Sequence, residues 1–309
     1  MITFEENILL APFTSFHIGG SARYFVRVKS IEEAIEALTF AKTENLPVFI
    51  LGGGSNILVA DTGFKGVVIK VENEDVTGDG QMIAVGAGAT LLSVVAFAVS
   101  RGLKGLENLA GIPGLIGGAV RGNAGAFGTD IGTHIISVMA FNRDTFETKV
   151  FTHQECQFSY RDSFFKQHPE WAIFGVGIGL ELGDAEELQK ITDETIAKRE
   201  AKHPQNAWSA GSFFVNPVVT DAVLRKEFET DTGIKLRDDK VPAGWLIDQV
   251  GLRGKKISGA MVSEIHPNYI VNTGAATAED IIILSSLIKQ KVRTQLNVQL
   301  KEEAQLVGF

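Results

Sequence analysis

Residues 46–59 read LPVFILGGGSNILV, and this stretch decides the fold. Its first part, VFIL, is an apolar run typical of a buried strand, and three consecutive glycines follow it directly. A Rossmann nucleotide site would need G-x-G-x-x-G followed by a helix. Here Ile57 stands in place of the last glycine, and the residues after it are again strand-like. The stretch therefore predicts a strand, a tight glycine turn and another strand, and it argues against a Rossmann site.

The patterns on either side of this stretch alternate between helix and strand. Residues 31–44 place apolar side chains on one helical face, and Ser30 with Glu33 predicts a capping box at its start. Thr90 and Gly102 are the expected start and end of a second, apolar helix. The alternation predicts an α/β or α+β fold.

The second half of the chain continues this alternation. Strand-like patterns come first, followed by a helix that Asp184 opens and that ends before His203, where a domain boundary is expected. Thr277 with Asp280 predicts the start of a long helix. A final strand is expected over residues 298–308. Its apolar face would carry Leu300, Ala304 and Leu306.

The composition indicates an ordinary globular protein of two or three domains, because 45% of its 309 residues are hydrophobic and 21% are charged. A net charge of −8 without any basic run argues against nucleic acid or an anionic membrane as a partner. Cys156 is the only cysteine, which excludes an internal disulfide and fits a reducing cytoplasm. Without a signal-peptide pattern or a membrane-length apolar run, we expect a cytoplasmic monomer or weak dimer with no membrane partner.

A second glycine-rich stretch, GLENLAGIPGLIGGAVRGNAGAFG, occupies residues 105–128. Clustered glycine indicates positive φ angles or close approach of another group, and consecutive peptide N–H groups in such turns can bind a pyrophosphate. Either stretch alone is equally well explained by tight turns and close-packed helices. Both together favour a dinucleotide. A P-loop is excluded because Gln249 stands where the leading glycine of Gly254-Lys255 should be, which argues against an ATPase.

Seven motifs, in order along nearly the whole chain, resemble the UDP-N-acetylenolpyruvoylglucosamine reductase family. Members of this family are flavoenzymes that complete UDP-N-acetylmuramate in bacterial cell-wall synthesis. Any one motif would be weak, but the ordered set is highly specific. The motifs are TSFHIGG at 14–20, LGGGSNILV at 51–59, the glycine-rich stretch at 105–128, FSYRDSFFK at 158–166, GSFFVNP at 211–217, AGWLIDQVGLRG at 243–254 and LKEEAQLVG at 300–308.

The resemblance implies an α+β fold with an FAD-binding module of the vanillyl-alcohol oxidase/PCMH type. Two α+β subdomains, 1–72 and 73–200, would form this module, and an α+β substrate-binding domain would occupy 201–309. We expect the FAD to be non-covalent, because the implied contact segments contain no histidine or cysteine. The implied cofactor-binding residues are Gly52, Gly53, Gly54, Ser55, Asn56, Gly111, Ile112, Pro113, Gly114, Gly117, Gly118, Arg121, Asn123 and Gly125.

The family's reaction implies three catalytic residues. NADPH would reduce FAD, and flavin N5 would then give a hydride to C3 of the enolpyruvyl ether of UDP-N-acetylglucosamine-enolpyruvate. Arg161 would bind the substrate carboxylate, Glu303 would act with it, and Ser212 would protonate C2. Without the resemblance, Arg161 would be a surface arginine paired with Asp162, Ser212 a turn cap, and Glu303 a solvated position beside Glu302.

The resemblance also implies substrate contacts by Tyr160, Lys202, Asn216 and His266. Two departures stand out. Val215 replaces a lysine that is usual in the family, and Phe127 replaces a common tyrosine. The short segment before the GSFFVNP motif places the chain in the branch that lacks a tyrosine-bearing insertion. Two other hypotheses remain at this point, another FAD-dependent oxidase or dehydrogenase on the same module and a non-catalytic flavin carrier. The three catalytic residues favour the reductase over both.

Overall fold

A strand, a glycine turn and a second strand occupy residues 48–59, as the sequence predicts. The structure is a computed structural model and describes residues 2–204 and 207–309. The helices in these ranges are α1 (Ile31–Thr43), α2 (Leu91–Ser100), α3 (Ile116–Arg121), α4 (Phe164–Gln167), α5 (Ala185–Lys202), α6 (Ala222–Thr232), α7 (Ala243–Gln249) and α8 (Ala278–Leu296).

The strands follow the same alternation along the chain. They are β1 (Glu5–Leu9), β2 (Ser21–Val28), β3 (Val48–Leu51), β4 (Ile57–Val59), β5 (Phe64–Val71), β6 (Val76–Asp79), β7 (Met82–Gly86), β8 (Leu103–Lys104), β9 (Gly125–Ala126), β10 (Thr129–Asp130), β11 (Ile135–Asn142), β12 (Thr148–Thr152), β13 (Trp171–Gly179), β14 (Glu181–Leu182), β15 (Lys256–Ile257), β16 (Ala260–Val262), β17 (Ile270–Asn272) and β18 (Gln305–Val307).

The chain divides into two units. The first unit contains the residues up to 8 together with 22–53 and 65–201, and the second unit contains 9–21, 54–64 and 202–309. The domain bounds expected from the sequence, given above, stay a prediction. Over the residues described, no helix combines the length and apolar composition that a membrane span requires.

The first unit contains two main sheets with one continuous apolar core. One has the strand order β1-β2-β5-β3, and the other has the order β12-β11-β13-β7-β6. In the first of these sheets, β3 and β5 pair in parallel, with Val48 opposite Val67. A parallel pair is normally buried on both faces, which explains the four consecutive buried residues 66–69 of β5. The second sheet is antiparallel throughout.

The helix starts follow the predicted capping residues, with one difference. Thr90 Oγ1 accepts the N–H of Ser93 at the start of α2 (3.1 Å), as predicted. At α1, Ser30 Oγ accepts the N–H of Glu33 (3.2 Å), but the Glu33 carboxylate accepts from Lys29 N rather than from Ser30 N. In the predicted capping box, the Glu33 carboxylate therefore accepts from the residue before the N-cap and not from the N-cap itself.

The start of α8 has two sets of acceptors. Thr277 and Asp280 form the predicted capping box. Asp61, 217 residues earlier in the chain, also accepts through its carboxylate oxygens from the N–H groups of Ala278 (2.9 Å) and Glu279 (3.3 Å). The first three N–H groups of α8, which have no partner inside the helix, are thereby satisfied.

The core of the second unit combines residues from distant parts of the sequence. Phe16, Ile18 and Leu58 are buried in the same cluster as Phe213 and the apolar face of α8. The two N-terminal segments of this unit therefore contribute side chains to its core. This assembly is not visible in any local pattern of the sequence.

The final strand is shorter than predicted, and its faces change. Only Gln305–Val307 forms a strand, which pairs in parallel with β4. Leu300 and Ala304 are buried as predicted, whereas Leu306 is 42% exposed and Val307 only 3%. The prediction for Leu306 was wrong because the segment changes its hydrogen-bonding partner between residues 301 and 305. Val215 N donates to Lys301 O, whereas Gln305 N donates to Asn56 O.

We expect the substitution Asp61→Ala to destabilise the second unit by removing two acceptors from the start of α8. Loss of a capping acceptor typically lowers the free energy of unfolding by about 1 kcal/mol. Urea denaturation would measure this loss. The control is Asp79→Ala on β6, since the Asp79 side chain accepts no hydrogen bond from the described residues. Equal stability of the two variants would show that Asp61 does not support α8.

Candidate active site

The two glycine-rich stretches meet within the first unit. A Cβ added to Gly53 would lie 3.2 Å from Cα of Gly114, so the two backbones are in contact. A Cβ on Gly52 or on Gly118 would instead meet nothing within 4 Å. No contact with another described residue explains the absence of a side chain at these two glycines, so their backbone is open to a ligand.

Other glycines of these stretches are explained by the protein itself. Gly54 has φ of +64°, and its missing Cβ leaves room for the carbonyl oxygen of Phe13. A Cβ on Gly117 would lie 3.0 Å from Cβ of Ala87, and one on Gly125 would lie 2.7 Å from Thr129 O. At Gly54, Gly117 and Gly125, neighbouring protein atoms alone therefore account for the absence of a side chain.

Arg121 lies three residues after Gly118 on α3, so the two share a helix face. Burial lowers the pKa of Arg121, the charge of Arg143 lowers it further, and Asp162 acts in the opposite direction. Within residues 2–204 and 207–309, its guanidinium forms no hydrogen bond or ion pair. A desolvated cation beside open backbone fits the diphosphate of a dinucleotide.

Arg161 is held beside the glycine-rich stretch in the first unit. Its Nη2 donates to the carbonyl oxygen of Gly125 (2.8 Å), and its own carbonyl accepts from Lys166 Nζ (2.6 Å). The carboxylate of Asp162 accepts from Ser163 N (3.0 Å) and from Gln167 Nε2 (2.8 Å). The backbone of Arg161 has φ of +56°, a conformation that few arginines adopt.

Asn123, one of the expected cofactor contacts, has a buried side chain that binds other parts of the protein. Its side chain is only 2% exposed. Nδ2 donates to Ser159 O (2.8 Å), and Oδ1 accepts from Gly132 N (2.9 Å). Because both ends of the amide are engaged inside the protein, this side chain joins the surrounding loops.

Ser212 lies in the second unit, in a segment fixed on both sides. On one side, Phe213 N donates to Asn268 O (2.7 Å), and the Asn268 side chain accepts from Phe214 N (3.0 Å) and donates to Phe214 O (2.8 Å). On the other side, Glu303 N donates to Phe213 O (2.8 Å). The rings of Phe213 and Phe214 are fully buried.

The hydroxyl of Ser212 is not a turn cap. It makes no hydrogen bond to any residue in the described part of the chain. The residue instead lines a cavity of about 340 Å³. The other lining residues are Asn216, Pro242, Gly244, Trp245, Asp248, Arg253, Ile265, His266, Pro267 and Asn268.

The polar groups of this cavity are arranged by contacts inside the second unit. Arg253 forms a two-point ion pair with Asp248 (2.8 and 2.7 Å). Burial lowers the pKa of His266, and the charge of Arg253 adds to this effect. His266 Nδ1 accepts from Asn268 N (3.3 Å), which leaves Nε2 to carry the proton of the neutral ring. Asn216 Oδ1 accepts from Ala243 N at the start of α7 (2.9 Å).

The two C-terminal glutamates differ in their environment. The Glu302 carboxylate forms an ion pair with Lys289 of α8 (2.7 Å). Glu303 is tied through its backbone, since its N–H donates to Phe213 O and its carbonyl accepts from Asn56 Nδ2 (3.4 Å). Asn56, expected at the cofactor, thus also joins the C-terminal strand to the LGGGSNILV motif.

The two remaining expected substrate contacts, Tyr160 and Lys202, lie on the surface of their units. Tyr160 is 43% exposed, and its ring lies under the Arg161 guanidinium at 5.3 Å. Lys202 is exposed at the end of α5. The structure places Arg161 and the open glycines in the first unit and Ser212, Glu303, Asn216 and His266 in the second.

Sequence reasoning missed Asn268 and gave no role to Trp245, Asp248 or Arg253. The last three belong to the AGWLIDQVGLRG motif, so their signal was present in the resemblance. Asn268 carries no such signal, because a buried asparagine whose partner, Phe214, lies 54 residues earlier has no local pattern. Among the described residues, no group of three or more His, Cys, Asp or Glu is placed to hold a metal ion.

Comparisons with known proteins show the family to which the chain is related. Residues 203–307 match the family model described as UDP-N-acetylenolpyruvoylglucosamine reductase, C-terminal domain, and residues 22–144 match the model described as FAD binding domain. The reductase of Solibacter usitatus is 36% identical over 97% of this chain and 95% of its own length. That of Carboxydothermus hydrogenoformans is 39% identical over 98% and 93%.

A solved structure extends the likeness to three dimensions. The crystal structure of UDP-N-acetylenolpyruvylglucosamine reductase from Thermus caldophilus superimposes with a TM-score of 0.77 at 31% identity, over 99% of this chain and all of that one. The predicted fold class, an α+β FAD-binding module followed by a further domain, is confirmed. The chain belongs to the UDP-N-acetylenolpyruvoylglucosamine reductase family.

Proposed function

We propose that this protein is an NADPH-dependent flavoenzyme that reduces the enolpyruvyl ether of UDP-N-acetylglucosamine-enolpyruvate to UDP-N-acetylmuramate. Its place is the synthesis of peptidoglycan precursors in the cytoplasm. The names of the relatives support the reaction and substrate. The observation that carries the proposal concerns Ser212, which lines a cavity and directly precedes two buried phenylalanines, and whose hydroxyl makes no hydrogen bond to the described protein.

FAD would be held by the backbone at Gly52 and Gly118, with Arg121 opposite its diphosphate. These positions leave room for a ligand that no described side chain fills. Bound FAD supplies the redox chemistry, accepting a hydride from NADPH and returning it to C3 of the substrate. The cofactor-binding segments contain no histidine or cysteine, so binding is non-covalent.

Ser212 is the proposed proton donor to C2. A hydroxyl is too weak an acid to protonate an ordinary ligand at neutral pH, but an enolate-like intermediate is basic enough to take its proton. The hydroxyl is not committed to another group among the described residues, so its proton is available. The contacts with Asn268 and Glu303 fix the backbone of this segment, so that the hydroxyl is placed before the reaction begins.

Arg161 and Glu303 are proposed to act on the carboxylate and the developing charge. A guanidinium binds a carboxylate through two parallel hydrogen bonds and remains charged at all working pH values. The resemblance assigns this role to Glu303, and Glu302 is less suited to it because its carboxylate is paired with Lys289.

The cavity beside Ser212 is proposed to bind the nucleotide-sugar part of the substrate. His266 would donate a hydrogen bond from Nε2 as a neutral ring, since its lowered pKa keeps it uncharged at pH 7. Asn216 has its Oδ1 occupied by α7, which leaves Nδ2 to face the ligand. Lys202 and Tyr160 are proposed as further substrate contacts. We propose a monomer or a weak dimer.

We expect Gly118→Ala to weaken FAD binding without destabilising the protein. Alanine is favoured over glycine inside a helix by about 1 kcal/mol, so the melting temperature of the apoprotein should not fall. A methyl group in the cofactor's place should cost roughly 1–3 kcal/mol, about five- to hundredfold in Kd. Fluorescence titration with FAD measures this. Gly122→Ala is the control, because its Cβ would meet only Gly118 O at 3.5 Å. Equal FAD affinities of the Gly118→Ala and Gly122→Ala variants would exclude Gly118 from the cofactor site.

We expect Ser212→Ala to separate the two halves of the reaction. Anaerobic mixing with NADPH should bleach the flavin at close to the native rate, since the hydroxyl has no use in that step. Reoxidation by the enolpyruvyl substrate should slow by roughly a hundredfold or more, the scale of a lost general acid. Ser212→Cys should recover part of the loss, because a thiol can also give a proton.

Stopped-flow absorbance of the flavin measures both rates for Ser212→Ala. If flavin reduction slows as much as reoxidation, Ser212 supports the fold or the cofactor. If neither rate changes, the proton comes from another group. A purified protein that binds no FAD would remove the proposed function altogether.

The adjacent glutamates allow a matched comparison. Glu303→Gln should slow reoxidation by about a hundredfold, because it removes the carboxyl group proposed to act together with Arg161 on the intermediate. Glu302→Gln should leave both flavin rates near native, since it removes only an ion pair with a partly exposed lysine, typically worth about 0–1 kcal/mol. The reverse result would assign the catalytic carboxylate to Glu302.

A further inference from the structure

The turn that carries Arg161 is tied to the glycine-rich stretch at three points, all within the first unit. The Asn123 amide donates from Nδ2 to Ser159 O (2.8 Å). The Ser163 hydroxyl, which is fully buried, donates to Arg121 O (2.7 Å). The third tie is the bond of the Arg161 guanidinium described above.

The side chains of Asn123 and Ser163 both bind backbone groups that are distant in the sequence. Ser163 precedes α4 at the N-cap position, yet its side chain makes no capping hydrogen bond and turns to Arg121 instead. The Asn123 amide is buried and joins Gly132 to Ser159. A buried amide with both ends satisfied fixes the relative position of the segments it joins.

The turn itself needs such support. Ser159 and Asp162 exchange backbone hydrogen bonds (3.0 and 3.1 Å), so residues 159–162 form a tight turn. Arg161 is its third residue and has φ of +56°. Glycine or asparagine is preferred there. A larger residue keeps this conformation only where the surrounding contacts impose it.

We propose that Asn123 is a positioning residue for Arg161. By holding the Ser159 carbonyl, it fixes the turn and sets where the guanidinium meets the substrate carboxylate. Ser163 supports the same turn from its other end. This inference rests on the role proposed above for Arg161. It predicts that loss of the tie leaves the cofactor bound and reducible but impairs the step that uses the substrate.

The decisive variant is Asn123→Asp, studied as the FAD-loaded full chain. It keeps the acceptor for Gly132 N but sets a carboxylate oxygen against Ser159 O. Reduction by NADPH should stay within about twofold of native, whereas reoxidation at pH 8 should slow by about a hundredfold, the scale of a misplacement of 1 Å. The defect should shrink as the pH is lowered to about 6, because burial raises the pKa of a carboxyl group and its O–H can again donate.

Asn142→Asp is the matched control. Asn142 is another buried asparagine of the first unit, and its Oδ1 accepts from the N–H groups of Asp144 (2.9 Å) and Thr145 (3.1 Å). An aspartate can keep both bonds, so the two flavin rates should remain near native. If Asn123→Asp does not fold, Ser163→Ala breaks the other tie and should show the same split between the two rates.

A double-mutant comparison tests whether Asn123 acts through Arg161. Arg161→Lys keeps the charge but loses the two-point contact, and it should slow reoxidation strongly. In that background, Asn123→Asp should add less than about threefold, since the group it positions is already gone. An undiminished additional loss would overturn the proposal, as would equal slowing of flavin reduction or loss of FAD.

The same measurements separate the two proposals. If Arg161→Lys reoxidises at the native rate, the role of Arg161 in the proposed function fails. If Arg161→Lys is slow while Asn123→Asp and Ser163→Ala are near native, only the positioning role fails.

Discussion

The backbone at Gly54 passes so close to the carbonyl oxygen of Phe13 that a side chain at this position would collide with it, and the second unit is assembled on this contact. Gly54 adopts φ of +64°, and its carbonyl accepts from Ser15 N (3.1 Å). The two N-terminal segments of the unit are thereby joined, and β4 lies in the second of them. Because β18 pairs with β4, the same contact leads to the placement of Glu303 beside Phe213, next to the proposed proton donor.

Local patterns in the sequence correctly predicted those strands and helix caps that depend only on neighbouring residues. The strand after the glycine turn and the caps at Thr90 and Thr277 follow from a few adjacent side chains. Long-range contacts were not predictable in this way. Asn123 lies among glycines, and its partner Ser159 is 36 residues away. The exposure of Leu306 depends on a change of partner strand that alternation cannot reveal.

The candidate site followed mainly from the resemblance, and the structure adds the surroundings of each residue. Glu302, the neighbour of the proposed catalytic Glu303, is paired with Lys289, which belongs to a different element. The cavity adds an electrostatic feature. Arg253 is the arginine that lines the cavity, and its charge is paired with that of Asp248. Burial lowers the pKa of His266, which favours its neutral form. The cavity therefore offers mainly directed hydrogen bonds, and the anionic parts of a substrate need further cations.

The contact between Asp61 and the start of α8 has a consequence for the order of folding during synthesis. All residues of the first unit have been synthesised by position 201, whereas the second unit requires 202–309 as well. Until then Phe16, Ile18 and Leu58 have no complete core to enter, although they are fully or almost fully buried in the finished protein. Contacts across some two hundred residues close slowly because of the entropy of the intervening chain. The nascent chain therefore passes through a stage in which one unit can be folded while these apolar side chains still need protection from aggregation, on the ribosome or by a chaperone.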